Sequence, residues 1–238
     1  MSSPSLDLEE LLNRRVFEGT PEPALTQLLR SLPLSEPPAR AADLGAGPAS
    51  TAVLAAAFEG DIVAVNKDGD QLQAVREAFP RAILLRQPLE TSAPFSVQLA
   101  LMMDVLMHVA QDHREEVLLT AAANWVAPGG FLVVAQHDHR GVMGQLALMM
   151  GAKPPALATI VDSDKFVVGQ VSCQFPANLE WLTMTAHRIV DAYFSPGTSG
   201  YDAAKRQARK AAREYMACLN DFDRGRATEL YSVAILRC

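Results

Sequence analysis

Residues 41–51, AADLGAGPAST, decide the fold. A short apolar segment runs into Gly45 and Gly47. The alanine-rich stretch ASTAVLAAAFEG then continues to Gly60. That order reads as a buried strand, a glycine turn and a helix closed by glycine. The dinucleotide fingerprint G-x-G-x-x-G is not met, because Ala49 holds the third glycine position and Pro48 sits inside the loop. Taken alone, the loop suits a ligand cradle and a tight turn equally.

Working outward, the same unit recurs. DIVAVN (61–66) reads as a strand and DGDQLQAVREAFP (68–80) as a helix stopped by Pro80. RAILLRQ (81–87) and SVQLALMMD (96–104) read as strands. HREEVLLTAAANWV (113–126) reads as a helix, APGG (127–130) as a turn and FLVVAQH (131–137) as a strand. Strands alternating with helices predict a parallel sheet covered on both faces, and the apolar runs suit strands buried on both sides.

Upstream, SLDLEELLNRRVF (5–17) and PEPALTQLLRSLPL (21–34) read as amphipathic helices. Downstream the rhythm changes. Residues 141–161 read as a Met-rich helix and a loop, NLEWLTMTA (178–186) as a helix, and HRIVDAYF (187–194) as a strand. Residues 200–222 form a long helical stretch, and ELYSVAILRC (229–238) a terminal strand.

The chain has 238 residues, 49% of them apolar, enough for one large α/β domain with a full core. The net charge of −6 disfavours nucleic acid as a partner, since phosphate binding wants a basic surface. Cys173, Cys218 and Cys238 are too few and too scattered for a disulfide framework or a zinc site. No secretory signal and no ~18-residue apolar run is legible, so a soluble cytoplasmic protein without membrane contact is expected.

In an open parallel sheet, ligands bind beyond the carboxyl ends of the strands, where strand order reverses. The glycine loop sits at such an end, and its neighbours give it meaning. DLGAGPAS (43–50), DVLMHV (104–109) and PGGFLVV (128–134), in this order and spacing, resemble the S-adenosylmethionine-dependent class I methyltransferases over about residues 39–138. The resemblance implies a doubly wound, Rossmann-like, seven-stranded sheet, mostly parallel with an antiparallel last strand. It would carry N-terminal helices and a C-terminal helical insertion. It also implies S-adenosylmethionine as cofactor.

Carried over by position, Asp43, Gly45, Ala46 and Gly47 would surround the methionine part of the cofactor. Asn66 and Lys67 would meet the ribose, and Gln87, Pro88 and Leu89 the adenine. Met103, Asp104, Val105 and His108 would line the pocket beside the sulfonium. Two positions depart from the family pattern. Asn66 and Gln87 stand where acids are usual, so charge-assisted bonds are lost there. Weaker cofactor affinity, or compensation from Asp68 or Glu90, is expected.

QHDHRG (136–141) follows the fifth expected strand. If extended geometry persisted, His137 and His139 would share one face. One of them would then be a general base for a hydroxyl nucleophile. An H-x-H metal pair with Asp104 or Asp138, or a solvated turn, are the competing readings; no resident metal is expected. Met102, Met103 and Met107 fall beside the predicted cofactor site, and Met143, Met149 and Met150 after it. The helix over 200–222 has an alanine face for packing and a basic face that either meets solvent or serves as a lid or dimer element.

The expectation is a single domain over 1–238, with a helical cap (1–38), a cofactor-binding core (39–138) and a substrate-side remainder (139–238). It would methylate a small-molecule acceptor, O-methylation first, and a homodimer is open. The alternatives are a protein that binds S-adenosylmethionine for a non-methylating reaction, or a cofactor-free scaffold.

Overall fold

The computed structural model describes residues 16–18, 21–34, 38–152, 156–161, 165–175, 177–194, 197–219 and 227–238. In chain order the strands are β1 (Val16–Glu18), β2 (Arg40–Leu44), β3 (Asp61–Asn66), β4 (Ile83–Arg86), β5 (Val97–Met103), β6 (Val126–His137), β7 (Phe166–Phe175) and β8 (Ala227–Arg237). The helices are α1 (Pro21–Arg30), α2 (Pro48–Ala57), α3 (Gly69–Ala78), α4 (Arg114–Trp125), α5 (Val142–Met149), α6 (Leu179–Tyr193) and α7 (Ser199–Cys218).

The strands form one sheet in the order β1-β7-β8-β6-β5-β2-β3-β4. β8 runs antiparallel to both β6 and β7, and every other neighbouring pair is parallel. Six of the seven expected strands are present, β7 takes the place of the seventh, and a short eighth, β1, lies at the edge. Order reverses between β2 and β5, so a crevice opens beyond their carboxyl ends.

Alternation along the strands builds two core layers. Leu99, Leu101, Phe131 and Val133 face α1 and α2. Ala100, Met102, Leu132 and Val134 face the side covered by α4 with Leu118 and Trp125. A third cluster joins α5, α6 and α7 and includes Ala204, Ala208, Ala211 and Ala212. The alanine stripe of α7 therefore packs, as the sequence reading has it.

Three sequence expectations need correction. The segment 187–194 is not a strand, because α6 runs unbroken through Tyr193. Asn178 caps that helix by accepting from the Trp181 N–H at 2.8 Å. Leu182, Ala186, Ile189 and Val190 are its buried face, a helical period that outweighs the strand propensity of HRIVDAYF. The strand that fills this place in the sheet is β7, and the long connection before β8 spans 176–226. APGG is not a separate turn: β6 extends through it, with a register slip between Val97 and Leu99 of β5. Val16 and Phe17 belong to β1 rather than to a helix. The rest of the helix expected at 5–17 lies outside the described residues, as do residues 35–37 of the expected cap.

Candidate active site

The tips of β2, β3, β4 and β5 and the start of α2 open on one cavity of about 780 Å³. This is within the ordinary range for ligand sites. The glycine turn after β2 is pinned by β3, whose Val65 carbonyl accepts from Gly45 N (2.8 Å) and Ala46 N (2.9 Å). Gly45 has φ +83°, and a Cβ there would lie 2.3 Å from Val105 Cγ2. Only glycine fits. At Gly47 a Cβ would meet only the Gln71 side-chain oxygen, at 3.2 Å, so the backbone faces open cavity.

Beneath the loop, Asp43 is fully buried. Its Oδ2 accepts from Ser50 Oγ (2.8 Å) and Thr51 Oγ1 (2.6 Å), tying β2 to α2. Burial raises its pKa to about 7, against the lowering effect of the two hydroxyls. Asp43 and Ala46 therefore sit behind the cradle and do not line the cavity, whereas Gly45 and Gly47 do.

Asn66 lines the cavity, but its amide first serves the fold. Nδ2 donates to Ala46 O (2.8 Å), and Oδ1 accepts from Asp68 N (3.0 Å). Lys67, Asp68 and Gln71 line the same side. The segment after β4 is held from below: the Trp125 indole N–H donates to Leu89 O (3.1 Å) and Asn124 Nδ2 to Glu90 O (2.8 Å). Gln87, Pro88, Leu89 and Glu90 are thereby fixed against the cavity. The buried Gln87 Nε2 has no hydrogen-bond partner among the described residues, a donor kept for something the cavity receives.

Met103, Asp104, Val105 and His108 complete this wall. Asp104 adopts φ +56°, a conformation uncommon outside glycine and most tolerated by Asp and Asn. Its Oδ1 accepts from His137 N (3.0 Å) and Gln136 Nε2 (3.0 Å), which hold it there.

His137 ends β6 opposite Tyr231 of β8, their ring centroids 4.3 Å apart. Nδ1 lies 3.0 Å from Glu229 Oε1, and Nε2 lies 3.2 Å from both Asp104 Oδ2 and Tyr231 Oη. Burial works against a charge on this ring. Asp104, by charge and hydrogen bond, and then Glu229 outweigh it and push the pKa up to about 10. At neutral pH His137 is an imidazolium between two carboxylates, not a base. The geometric reason for favouring O-methylation is thus removed.

His139 does not share a face with His137, because the strand ends at His137. It is exposed, lies 3.4 Å from Asp138 Oδ1, and does not line the cavity. Asp138 is a structural hub: it accepts from Arg140, Gln170 Nε2 (2.9 Å) and Ser232 Oγ (2.6 Å), and its carboxyl is held below the usual range. Among the described residues no cluster suits a metal ion. His108 is different. Burial lowers its pKa, Asp104 opposes this, and Lys67 adds to the lowering, so the ring is neutral at pH 7.

Sequence reasoning, which offers Trp181 as a candidate aromatic wall, missed Glu229 and the rest of the α6 lining. Trp181, Thr185, Arg188 and Asp191 of α6 line the cavity, with Met143 from α5. α7 lends no lining residue; it buttresses α6, with Lys205 Nζ 2.8 Å from Asp191 Oδ1.

No family model and no curated protein matches the sequence. The structure does match solved ones. A methyltransferase from Geobacter sulfurreducens, solved with S-adenosylhomocysteine, aligns at TM-score 0.54 and 17% identity over 97% of this chain and 96% of its own. The cyclopropane synthase MmaA2 from Mycobacterium tuberculosis aligns at 0.56 and 14% over 98% and 95%. The N-methyltransferase NodS from Bradyrhizobium japonicum, also solved with S-adenosylhomocysteine, aligns at 0.53 and 15% over 92% and 88%. The chain has the fold of the class I S-adenosylmethionine-dependent methyltransferases. Among the described residues, no helix is long and apolar enough to cross a membrane.

Proposed function

We propose that the chain is an S-adenosylmethionine-dependent methyltransferase acting on a small organic molecule. The observation that carries this is the convergence of four parallel strand tips on one cavity, beside a glycine turn that tolerates no side chain at Gly45. The residues present fit the cofactor. Gly45 and Gly47 leave backbone room for its amino-acid end. Asn66, with Asp68 beside it, offers oxygens to a ribose, and the unpartnered Gln87 amide is a donor for an adenine ring nitrogen.

Bound there, S-adenosylmethionine supplies an electrophilic methyl group on a sulfonium sulfur. The residues of the chain then have three tasks. The strand tips and α6 hold the acceptor in line and exclude water, an alignment that contributes about 7–11 kcal/mol in favourable cases. Asp104 and Glu229, two carboxylates around one imidazolium, place excess negative charge near the reacting cation. His108, the neutral ring on the wall, is the side chain able to take a proton if the acceptor must lose one.

An amine or a carbon nucleophile needs less from a base than a hydroxyl does, so the atom methylated is left open between N, C and O. The test is incubation with methyl-labelled S-adenosylmethionine and a pool of small metabolites. Label appearing in a small organic product supports the proposal. Binding without label transfer across broad pools points to the non-methylating alternative.

A further inference from the structure

α6 turns one stripe toward the cavity. Trp181, Thr185 and Arg188 stand at i, i+4 and i+7, which places them on a single helix face. Arg188 lines the cavity and is exposed, and Thr185, one turn before it, is buried with 2% of its surface accessible. The guanidinium of Arg188 makes no hydrogen bond and no ion pair with any described residue. The acid three residues on, Asp191, does not serve it. Asp191 Oδ1 is already engaged by Tyr201 Oη at 2.9 Å and Lys205 Nζ at 2.8 Å. A second cation on the cavity wall, Lys67, follows β3 and belongs to the cofactor side.

An unpaired guanidinium on the cavity wall, in a chain of net charge −6, is a ready partner for an anion. Its planar fork matches a carboxylate with two parallel hydrogen bonds, and the Thr185 hydroxyl on the same face is a further donor. Trp181, Met143 and Tyr231 add apolar and aromatic wall to the same cavity.

We propose that Arg188 anchors a carboxylate of the methyl acceptor, so that the substrates are small organic acids. The body of the acid lies along Trp181 and Met143, with its nucleophile toward Asp104. The word acceptor rests on the methyltransferase reading; the anion site does not.

The test uses the full chain, with and without S-adenosylhomocysteine, titrated calorimetrically with isosteric pairs: benzoate and benzamide, phenylacetate and phenylacetamide, indole-3-acetate and indole-3-acetamide. The expected result is that at least one carboxylate binds about tenfold or more tightly than its amide. Arg188→Gln removes that preference, and Arg188→Lys restores part of it. Arg188 is exposed, so Arg188→Gln is expected to fold, and its thermal melt checks this. Equal binding of acids and amides, binding of neither, or a preference that survives in Arg188→Gln overturns the proposal. The two readings fail separately. Heat from S-adenosylhomocysteine without acid discrimination removes the anion site alone. Acid discrimination without that heat removes the methyltransferase reading alone.

Discussion

His137 and Glu229 are 92 residues apart in sequence and 3.0 Å apart in space, Nδ1 to Oε1, on the neighbouring antiparallel strands β6 and β8. Glu229 is fully buried, and its other oxygen accepts from Met143 N at 2.8 Å. This carboxylate thus joins Asp104 in holding the ring charged and ties the end of β6 to the start of α5.

Removing that carboxylate leaves a buried imidazolium with Asp104 as its remaining acid. Glu229→Gln is expected to lower stability by about 3–5 kcal/mol, the usual cost of breaking a buried pair. Urea unfolding at pH 7 measures it. A change within error would mean that the pair does not hold the site.

The same pair sets a pH dependence. The His137 pKa is raised to about 10 in the folded chain from an ordinary value near 6.5. Its contribution to stability is complete below pH ~6.5 and is lost as pH rises toward ~10. In Glu229→Gln the decline should still begin near pH ~6.5, set by the unfolded chain, and end at lower pH. Melting temperatures across pH 6 to 10 read both curves.

The division between the two rings is testable by rate. With an acceptor that must lose a proton, the ascending limb of kcat/KM should disappear in His108→Asn. It should not be traceable to His137, which is protonated throughout that range. A limb that persists in His108→Asn and vanishes in His137→Gln would reverse the assignment.

Gln87 separates binding from stability. Its buried Nε2 has no partner among the described residues, so Gln87→Leu removes an unsatisfied donor and should leave stability unchanged or slightly raised. If that amide meets the cofactor, affinity for S-adenosylhomocysteine falls about tenfold. Parallel loss of stability and affinity would make Gln87 a structural residue instead.

Much of the cofactor half was legible because it is local. Alternating apolar strands, glycine turns and capped helices follow one another from 39 to 138, and each signal lies within its own segment. The acceptor half was not. HRIVDAYF holds enough β-branched and aromatic residues to read as a strand when cut at His187. Its helical period shows only when joined to Leu182 and Ala186, and so the alignment of Thr185 and Arg188 with Trp181 on one face stayed hidden. Glu229 left a signal that went unread. Ala227, Glu229, Tyr231, Val233 and Ile235 alternate along β8 and are all buried, so an acid occupies an inward position. What no local pattern carries is the partner, because His137 and Glu229 meet only through strand pairing. His139 failed for the converse reason: alternation was extended one step past the end of the strand.

The central claim is that the strand tips enclose an adenosyl cofactor around a turn that must be glycine at position 45. The most direct measurement is calorimetric titration of the wild type and of Gly45→Ala with S-adenosylhomocysteine. The account predicts saturable one-to-one binding to the wild type and its loss in Gly45→Ala, where a methyl group would strike Val105. Gly47→Ala, with only the Gln71 side chain to displace, should keep part of it. A wild-type protein that is folded yet gives neither heat nor thermal shift would contradict the account.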